Sequence, residues 1–370
     1  MFGQNEETLA ALNKLSESLG GDIITHTHGG GEFSTGTDGE TLADYHMFSV
    51  GRRPLHGIHV PAEMKLSAEE AMAVAGLDWE VERKPLYFYM DEDTLRQAKQ
   101  GFAIVRKNDQ KTLGVVGPRY TPIQNSEAFG AFQEWTGDRG LEFVAGGAMS
   151  GGKKVWLQAK MPDTFEAVKG DAVQKYLFLM NSFDGSSSLT IRITPTRVVC
   201  CNMVASIISR KGKRVKRFIS VKHTKNFRKT LEASLENIFG ISNQSWQQFE
   251  AMAKAMVHVQ LNVTQFNEYA HALFPDPQPK EGEVEVSETR LVNAQGKRDQ
   301  LTELFENGLG QDIPGVQGTA WAAYNALTEY NNYYIGGETS QDRRFQSAIL
   351  AGQGISLQNK AEDFLMAYAA

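Results

Sequence analysis

KYLFLMNSFDGSSSLTIRIT, Lys175 to Thr194, is the stretch from which the fold is read. Tyr176 to Met180 form a short apolar run, and Leu189, Ile191 and Ile193 alternate with Thr190, Arg192 and Thr194. Between them Asp184-Gly185 supplies turn chemistry, because glycine accepts the positive φ that tight hairpin turns require. Two strands, Lys175 to Asn181 and Ser188 to Thr194, therefore make an antiparallel hairpin.

The same pattern recurs upstream. Leu141 to Met149 and Lys153 to Met161 are strands joined through Gly151-Gly152, and Phe102 to Arg106 and Thr112 to Val116 flank the turn Lys107 to Lys111. Asn125 is the expected N-cap of a helix in which Ala128, Phe129, Phe132 and Trp135 recur every three or four residues before Gly137. Ser67 and Glu70 have capping-box spacing for a helix stopped by Gly76. From about Thr224 the period is helical: Phe227 to Phe239, Trp246 to Leu261, Gln265 to Phe274, Thr289 to Phe305, Thr319 to Tyr334, Arg344 to Ala351 and Ser356 to Tyr368. At the other end, Glu6 to Leu19 predicts a short helix and Thr25 to Gly39 a Gly/Thr/His-rich arm.

Strands first and helices second predict an α+β protein, an antiparallel sheet core of hairpins followed by a helical C-terminal region. The expected organisation is an N-terminal helix and arm over 1–65, a sheet core with a basic segment over 66–223, and a helical region over 224–370.

The charge distribution is uneven. Gly185 to Leu231 contains none of the chain's 44 acidic residues and twelve of its 38 basic ones: Arg192, Arg197, Arg210, Lys211, Lys213, Arg214, Lys216, Arg217, Lys222, Lys225, Arg228 and Lys229. The chain as a whole carries a net charge of −6, so its positive charge is gathered in one place. Neutralising phosphates with such a segment releases condensed counterions, which makes nucleic acid the leading partner. A charge run is often only a solvated loop. Here, however, Val215, Phe218, Ile219, Val221 and Phe227 interleave with the charges, a composition unlike a disordered tail.

Other motifs carry less chemistry. Gly147-Ala148-Met149-Ser150-Gly151-Gly152-Lys153-Lys154 falls one residue short of a phosphate loop, with Lys154 where the magnesium-binding hydroxyl belongs and a strand where a helix should follow. It reads as a hairpin whose Lys153 and Lys154 can touch a backbone phosphate. Five of the eight histidines lie between His26 and His59, yet no Cys pair or His-Glu-x-x-His helix accompanies them, and no metal or other cofactor is expected. Ser182, Ser186 and Asp184 sit on a turn favoured for backbone reasons, with only His223 near in sequence, so no catalytic site and no enzyme activity are expected. Phe183 at that tip is a candidate to stack on a base, with Tyr120 and Phe218 beside it in that role. Trp321, Tyr324, Leu327 and Thr328 share a helical face and predict core or oligomer packing. The adjacent Cys200 and Cys201, the lack of a long apolar run and an N-terminus without signal-peptide character point to the cytoplasm and away from a membrane.

Several of these stretches resemble one family. Ala75-Gly76-Leu77-Asp78-Trp79-Glu80-Val81 leading to Pro85-Leu86-Tyr87, Gly114-Val115-Val116-Gly117-Pro118-Arg119-Tyr120-Thr121-Pro122-Ile123-Gln124-Asn125, Asn181 to Ser187, Thr194 to Asn202, His223-Thr224 and Gly318-Thr319-Ala320-Trp321 are similar to the phage/plasmid-like protein family. The resemblance covers roughly 66–368 and implies a mobile-element protein inside a bacterial host cell, without implying an activity. A sheet followed by helices is also reminiscent of Rad52-type single-strand annealing proteins, by fold-level analogy. The expected function is thus a DNA-binding protein of phage or plasmid origin, favouring single strands, acting in recombination or replication as a homo-oligomer. The competing expectation is a non-enzymatic regulatory or anti-host-defence protein that binds an acidic protein partner.

Overall fold

The structure, a computed structural model, describes residues 24–26, 48–50, 57–60, 65–90, 95–137, 141–197, 218–279, 281–282, 285–335 and 353–369. Its elements are β1 (Ile24–His26), β2 (Phe48–Val50), β3 (Gly57–Val60), α1 (Ala68–Val74), β4 (Val81–Tyr89), β5 (Leu95–Arg106), β6 (Thr112–Val116), α2 (Asn125–Gly137), β7 (Glu142–Met149), β8 (Lys154–Glu166), β9 (Ala172–Ser182), β10 (Leu189–Arg197), β11 (Phe218–Val221), α3 (Phe227–Met256), α4 (Val263–Leu273), α5 (Glu288–Asn307), α6 (Ala320–Glu329) and α7 (Gln353–Tyr368). The class is α+β, sheets first and helices after. The predicted helices at Glu6 to Leu19 and Arg344 to Ala351, and nearly all of the Thr25 to Gly39 arm, lie outside the described residues.

The chain divides into two compact units, neither continuous in sequence: 1–162, 176–192 and 218–239 form the first, and 163–175, 193–217 and 240–370 the second. The first unit holds two sheets. One has eight strands in the order β1-β3-β2-β7-β8-β9-β10-β11, with the far ends of β8, β9 and β10 belonging to the second unit. Its β2 and β3 run parallel, whereas β1–β3, β2–β7, β7–β8 and β10–β11 are antiparallel. The other has three antiparallel strands, β4-β5-β6. The Gly147 to Lys154 stretch is a hairpin: β7 and β8 pair through Met149↔Lys154 around a short 3-10 turn at Ser150–Gly152.

Local chemistry explains the helices of this unit. Ser67 and Glu70 form the predicted capping box of α1, worth about 0.5–2 kcal/mol, and Gly76 takes the positive φ of 63° just past its end. At α2 the expected cap is shifted. Gln124 N–H donates to Glu127, while Asn125 turns its Nδ2 to Leu77 O at 2.9 Å. Phe129 and Phe132 are fully buried, and Phe132 meets Phe143 of β7 edge-on at 5.9 Å.

In the second unit the helices pack through aromatics. Phe249 of α3 meets Trp321 of α6 at 6.0 Å, and Phe266 of α4 stacks on Phe305 of α5 at 4.1 Å. Tyr324 donates to Glu362 of α7 at 3.0 Å. All ten residues of α6 are buried, so the aromatic face of Trp321 and Tyr324 is core packing. Beyond α6 the chain makes a π-turn at Tyr330–Tyr334.

Candidate nucleic-acid interface

Asn181 to Ser186, where β9 ends, is the hub of the site, and everything described around it belongs to the first unit. Phe183 N–H donates to Lys153 O at 2.7 Å, which ties this turn to the start of β8. Asp184 Oδ1 accepts from Ser182 Oγ at 2.6 Å and from Ser186 N at 2.9 Å, closing the turn on itself. Gly185 follows with a φ of 73°. Burial pushes the Asp184 carboxyl up, but the hydrogen bonds from Ser182 and Ser186 and the nearby Lys154 ammonium outweigh it and hold it below its ordinary value. Gly114 of β6 lies directly against the Asp184 backbone, leaving no room for a side chain.

Asn181 reads both of its neighbours. Its Nδ2 donates to Ile123 O at 2.8 Å and its Oδ1 lies 2.8 Å from His223 Nε2. With the amide oriented so, His223 Nε2 carries the proton and donates it. The imidazole stacks on Tyr120 with ring centres 4.7 Å apart and planes at 15°, and Thr121 N–H donates to His223 O at 3.0 Å. Tyr120 in turn donates to Ser182 O at 2.7 Å. Burial lowers the His223 pKa to about 4 despite the opposing pull of Asp184. At neutral pH His223 is an uncharged post, not one of the cations.

What this post fixes is the chain that follows. Lys222, Lys225, Arg228 and Lys229 are all exposed, and none of the four forms an ion pair among the described residues. The first turn of α3 contains no acid, although acids favour a helix N-terminus and cations there oppose its dipole. Arg228 and Lys229 thus sit where they do the helix no good and an anion the most. On the other side of the hub, Lys153 and Lys154 are half-exposed, and the Lys111 side chain packs over Gly151 in the turn before them. Two basic groups far apart in sequence are brought to one turn.

Three predicted residues fall elsewhere or act otherwise. Phe183 is fully buried against Trp79, with ring centres 5.3 Å apart, so it anchors the turn and offers no face to a base. Tyr120 is occupied by its stack and hydrogen bond in the same way. Arg197 belongs to the second unit and is 2% exposed: its Nε donates to Asp171 Oδ1 at 2.6 Å, and its Nη1 and Nη2 donate to Leu309 O and Gly310 O at 2.9 and 2.8 Å. It is an interior strut and not a phosphate ligand. Arg192 is half-buried on β10, and burial lowers its pKa to about 10, which leaves it charged at neutral pH. Arg210, Lys211, Lys213, Arg214, Lys216 and Arg217, together with the side chain of Phe218, lie outside the described residues.

The Asn181–His223–Tyr120 network and Lys111 escaped the sequence reading of the site. Asn181, Tyr120 and His223 were visible only one at a time, Tyr120 as a candidate to stack on a base and His223 as the histidine nearest the turn, and no spacing joins positions tens of residues apart. Residues 112–347 match the family described as a domain of unknown function, DUF932, nearly two thirds of the chain and the whole span from β6 through α6. The chain belongs to the DUF932 family. The DUF932 match takes in the hub, Tyr120, His223 and most of the cations, Lys111 alone lying just outside it. No curated protein and no solved structure matches the chain. Among the described residues no group of His, Cys, Asp or Glu could hold a metal ion, and no helix is long and apolar enough to cross a membrane.

Proposed function

We propose that this chain is a DNA-binding protein of phage or plasmid origin that holds single strands extended for annealing in recombination or replication. The carrying observation is the 47-residue stretch without an acid, whose described surface members Lys222, Lys225, Arg228 and Lys229 stand exposed and form no ion pair among the described residues. Lys111, Lys153 and Lys154, gathered about the same turn, extend the positive surface. Like charges kept together without a counter-ion repel one another, and a polyanion removes that cost.

Annealing asks little more of a protein. Bases pair by themselves once strands are held by their phosphates with the bases free, so no catalytic group is required. In this reading the protein works inside the host cell as a homo-oligomer, since linked binding sites multiply weak phosphate contacts through effective concentration. The resemblance to the phage/plasmid-like family and the analogy with Rad52-type annealing proteins support the setting. With Phe183 and Tyr120 turned inward, the grip on DNA is chiefly electrostatic.

The test is a titration of the full chain with labelled single- and double-stranded oligonucleotides at two salt concentrations. Binding that weakens steeply with salt is expected, tighter for single strands, and a complementary-strand assay should show faster pairing with protein present. Absence of binding at low salt, with salt-sensitive capture of an acidic protein instead, overturns the reading.

A further inference from the structure

Within the second unit, α5 and the π-turn that follows α6 border an open groove of about 510 Å³, a size that suits a small ligand. One side of it is aromatic: the rings of Tyr330 and Tyr334 lie nearly parallel, at 15°, with centres 6.4 Å apart. Tyr330 is buried against Phe274, ring centres 5.1 Å apart, which fixes the platform from below, while Tyr334 stays 44% exposed. π-turns are rare and recur at functional sites, and this one carries both rings.

The other side is polar. Asn293, Lys297 and Gln300 of α5 line it, and none of the three forms a side-chain hydrogen bond or ion pair among the described residues. No acid among the described residues lines the groove, and Asp299, close by in sequence, accepts from Gln295 at 2.7 Å instead. Between Asn293 and Gln300 the groove is floored by Gly296, in the interior of α5, where glycine weakens a helix. Packing does not demand this glycine, since a Cβ there would meet nothing within 4 Å. What the missing side chain leaves is room in the groove.

Each side selects part of a ligand. An exposed ring on a fixed platform takes a planar π-system, Lys297 takes an anion, and the two amides, each donor and acceptor, take the edge of a base. A sugar phosphate lacks the π-face and a neutral aromatic lacks the anion; a nucleotide has both. We infer that this groove binds a nucleotide, its base stacked on Tyr334 and its phosphate on Lys297. On a single strand this is a further contact, supplying the stacking that the inward Phe183 and Tyr120 do not. The ligand class comes from the groove's own chemistry and does not require the DNA-binding reading.

The experiment takes the full chain and two probes, a single-stranded oligonucleotide carrying one iododeoxyuridine and free thymidine monophosphate. Irradiating the complex with the iodinated strand should give an adduct on the peptide that holds Tyr334, identified by mass spectrometry. Tyr334→Leu should weaken oligonucleotide binding about tenfold with the salt slope unchanged, and Tyr334→Phe should bind like the native chain. Lys297→Gln should instead lower the salt slope by about 0.7, the share of one phosphate. Gly296→Leu should fill the groove, weakening binding as Tyr334→Leu does while leaving Tm unchanged or higher. An oligonucleotide bound equally well by the native and Tyr334→Leu chains, with no adduct at Tyr334, overturns the inference and leaves the DNA-binding reading standing. Thymidine monophosphate that binds by saturation-transfer NMR, loses its signal in Tyr334→Leu and has no oligonucleotide counterpart supports the groove and sinks the DNA-binding reading. Binding of neither probe overturns both.

Discussion

Changing Asp171 to alanine removes the acid that pairs with the buried Arg197 in the interior of the second unit. The carboxylate is fully buried and both oxygens are in use: Oδ1 accepts from Arg197 Nε at 2.6 Å and Oδ2 from Trp321 Nε1 at 2.7 Å. Without it the Arg197 guanidinium remains buried with the Leu309 and Gly310 carbonyls and the nearby charge of Glu329 but no ion-pair partner in contact, and the indole N–H loses its acceptor. Removing one partner of a buried pair costs about 3–5 kcal/mol, because the remaining charge is uncompensated. For a domain of this size each kcal/mol lowers Tm by roughly 2–4 °C, so a fall of roughly 6–20 °C is expected in calorimetry, with a matching shift of the urea midpoint. Trp321→Phe keeps the ion pair and the ring and leaves only an unsatisfied carboxylate oxygen, so it should cost less, about 1–3 kcal/mol. An Asp171→Ala chain that melts within about 2 °C of the native one would refute the strut, a shift worth no more than about 1 kcal/mol. It would also make Arg197 a candidate phosphate ligand again.

Four further outcomes follow from the first unit. His223 has a folded pKa of about 4 against about 6.5 when unfolded, so the unfolded chain binds the extra proton between those values. Stability should therefore be complete above pH 6.5 and fall by about 3 kcal/mol as pH drops toward 4, a slope that His223→Gln should flatten in urea titrations at stepped pH. Asp184, held below its ordinary value, loses its contribution in the same acid direction at still lower pH. Gly114→Ala would press a methyl group into the Asp184 backbone and should cost about 1–3 kcal/mol, seen as a lower urea midpoint; an unchanged midpoint would show that the turn yields freely. Replacing Lys222, Lys225, Arg228 and Lys229 by alanine should lower the slope of log K against log salt by about 3 for single strands, at about 0.7 for each phosphate no longer neutralised, and leave Tm nearly unchanged.

How much of this was legible depended on whether the signal was local. The hairpins at Lys107–Lys111, Gly151-Gly152 and Asp184-Gly185 and the Ser67 capping box depend on residues within a few positions, and each forms where its turn or cap chemistry requires. β4 was not legible, because a strand with little of either face buried has no apolar–polar alternation and Pro85 interrupts it. Phe227 to Phe239 and Trp246 to Leu261 read as two helices on account of Gly240-Ile241-Ser242-Asn243, yet α3 runs through. A glycine costs a helix only about 1 kcal/mol, and burial of Trp246 and Phe249 beyond it offsets that. At the site, the excess of cations could be counted from the sequence, but their burial could not. Arg197 and Lys225 look alike until Asp171, 26 positions away, proves to be the partner of the first. The His223 post was equally hidden, since Asn181, Tyr120 and His223 meet only through tertiary packing.

The most direct test of the central claim is the salt dependence of DNA binding by the native chain, measured by fluorescence anisotropy with a labelled single-stranded oligonucleotide. A phosphate-gripping surface predicts a steep linear fall of log K with log salt, its slope set by several phosphate contacts and reduced when the four cations from Lys222 to Lys229 are removed. Anisotropy that stays at the free-oligonucleotide value at low salt, or binding whose strength does not change with salt, would contradict it.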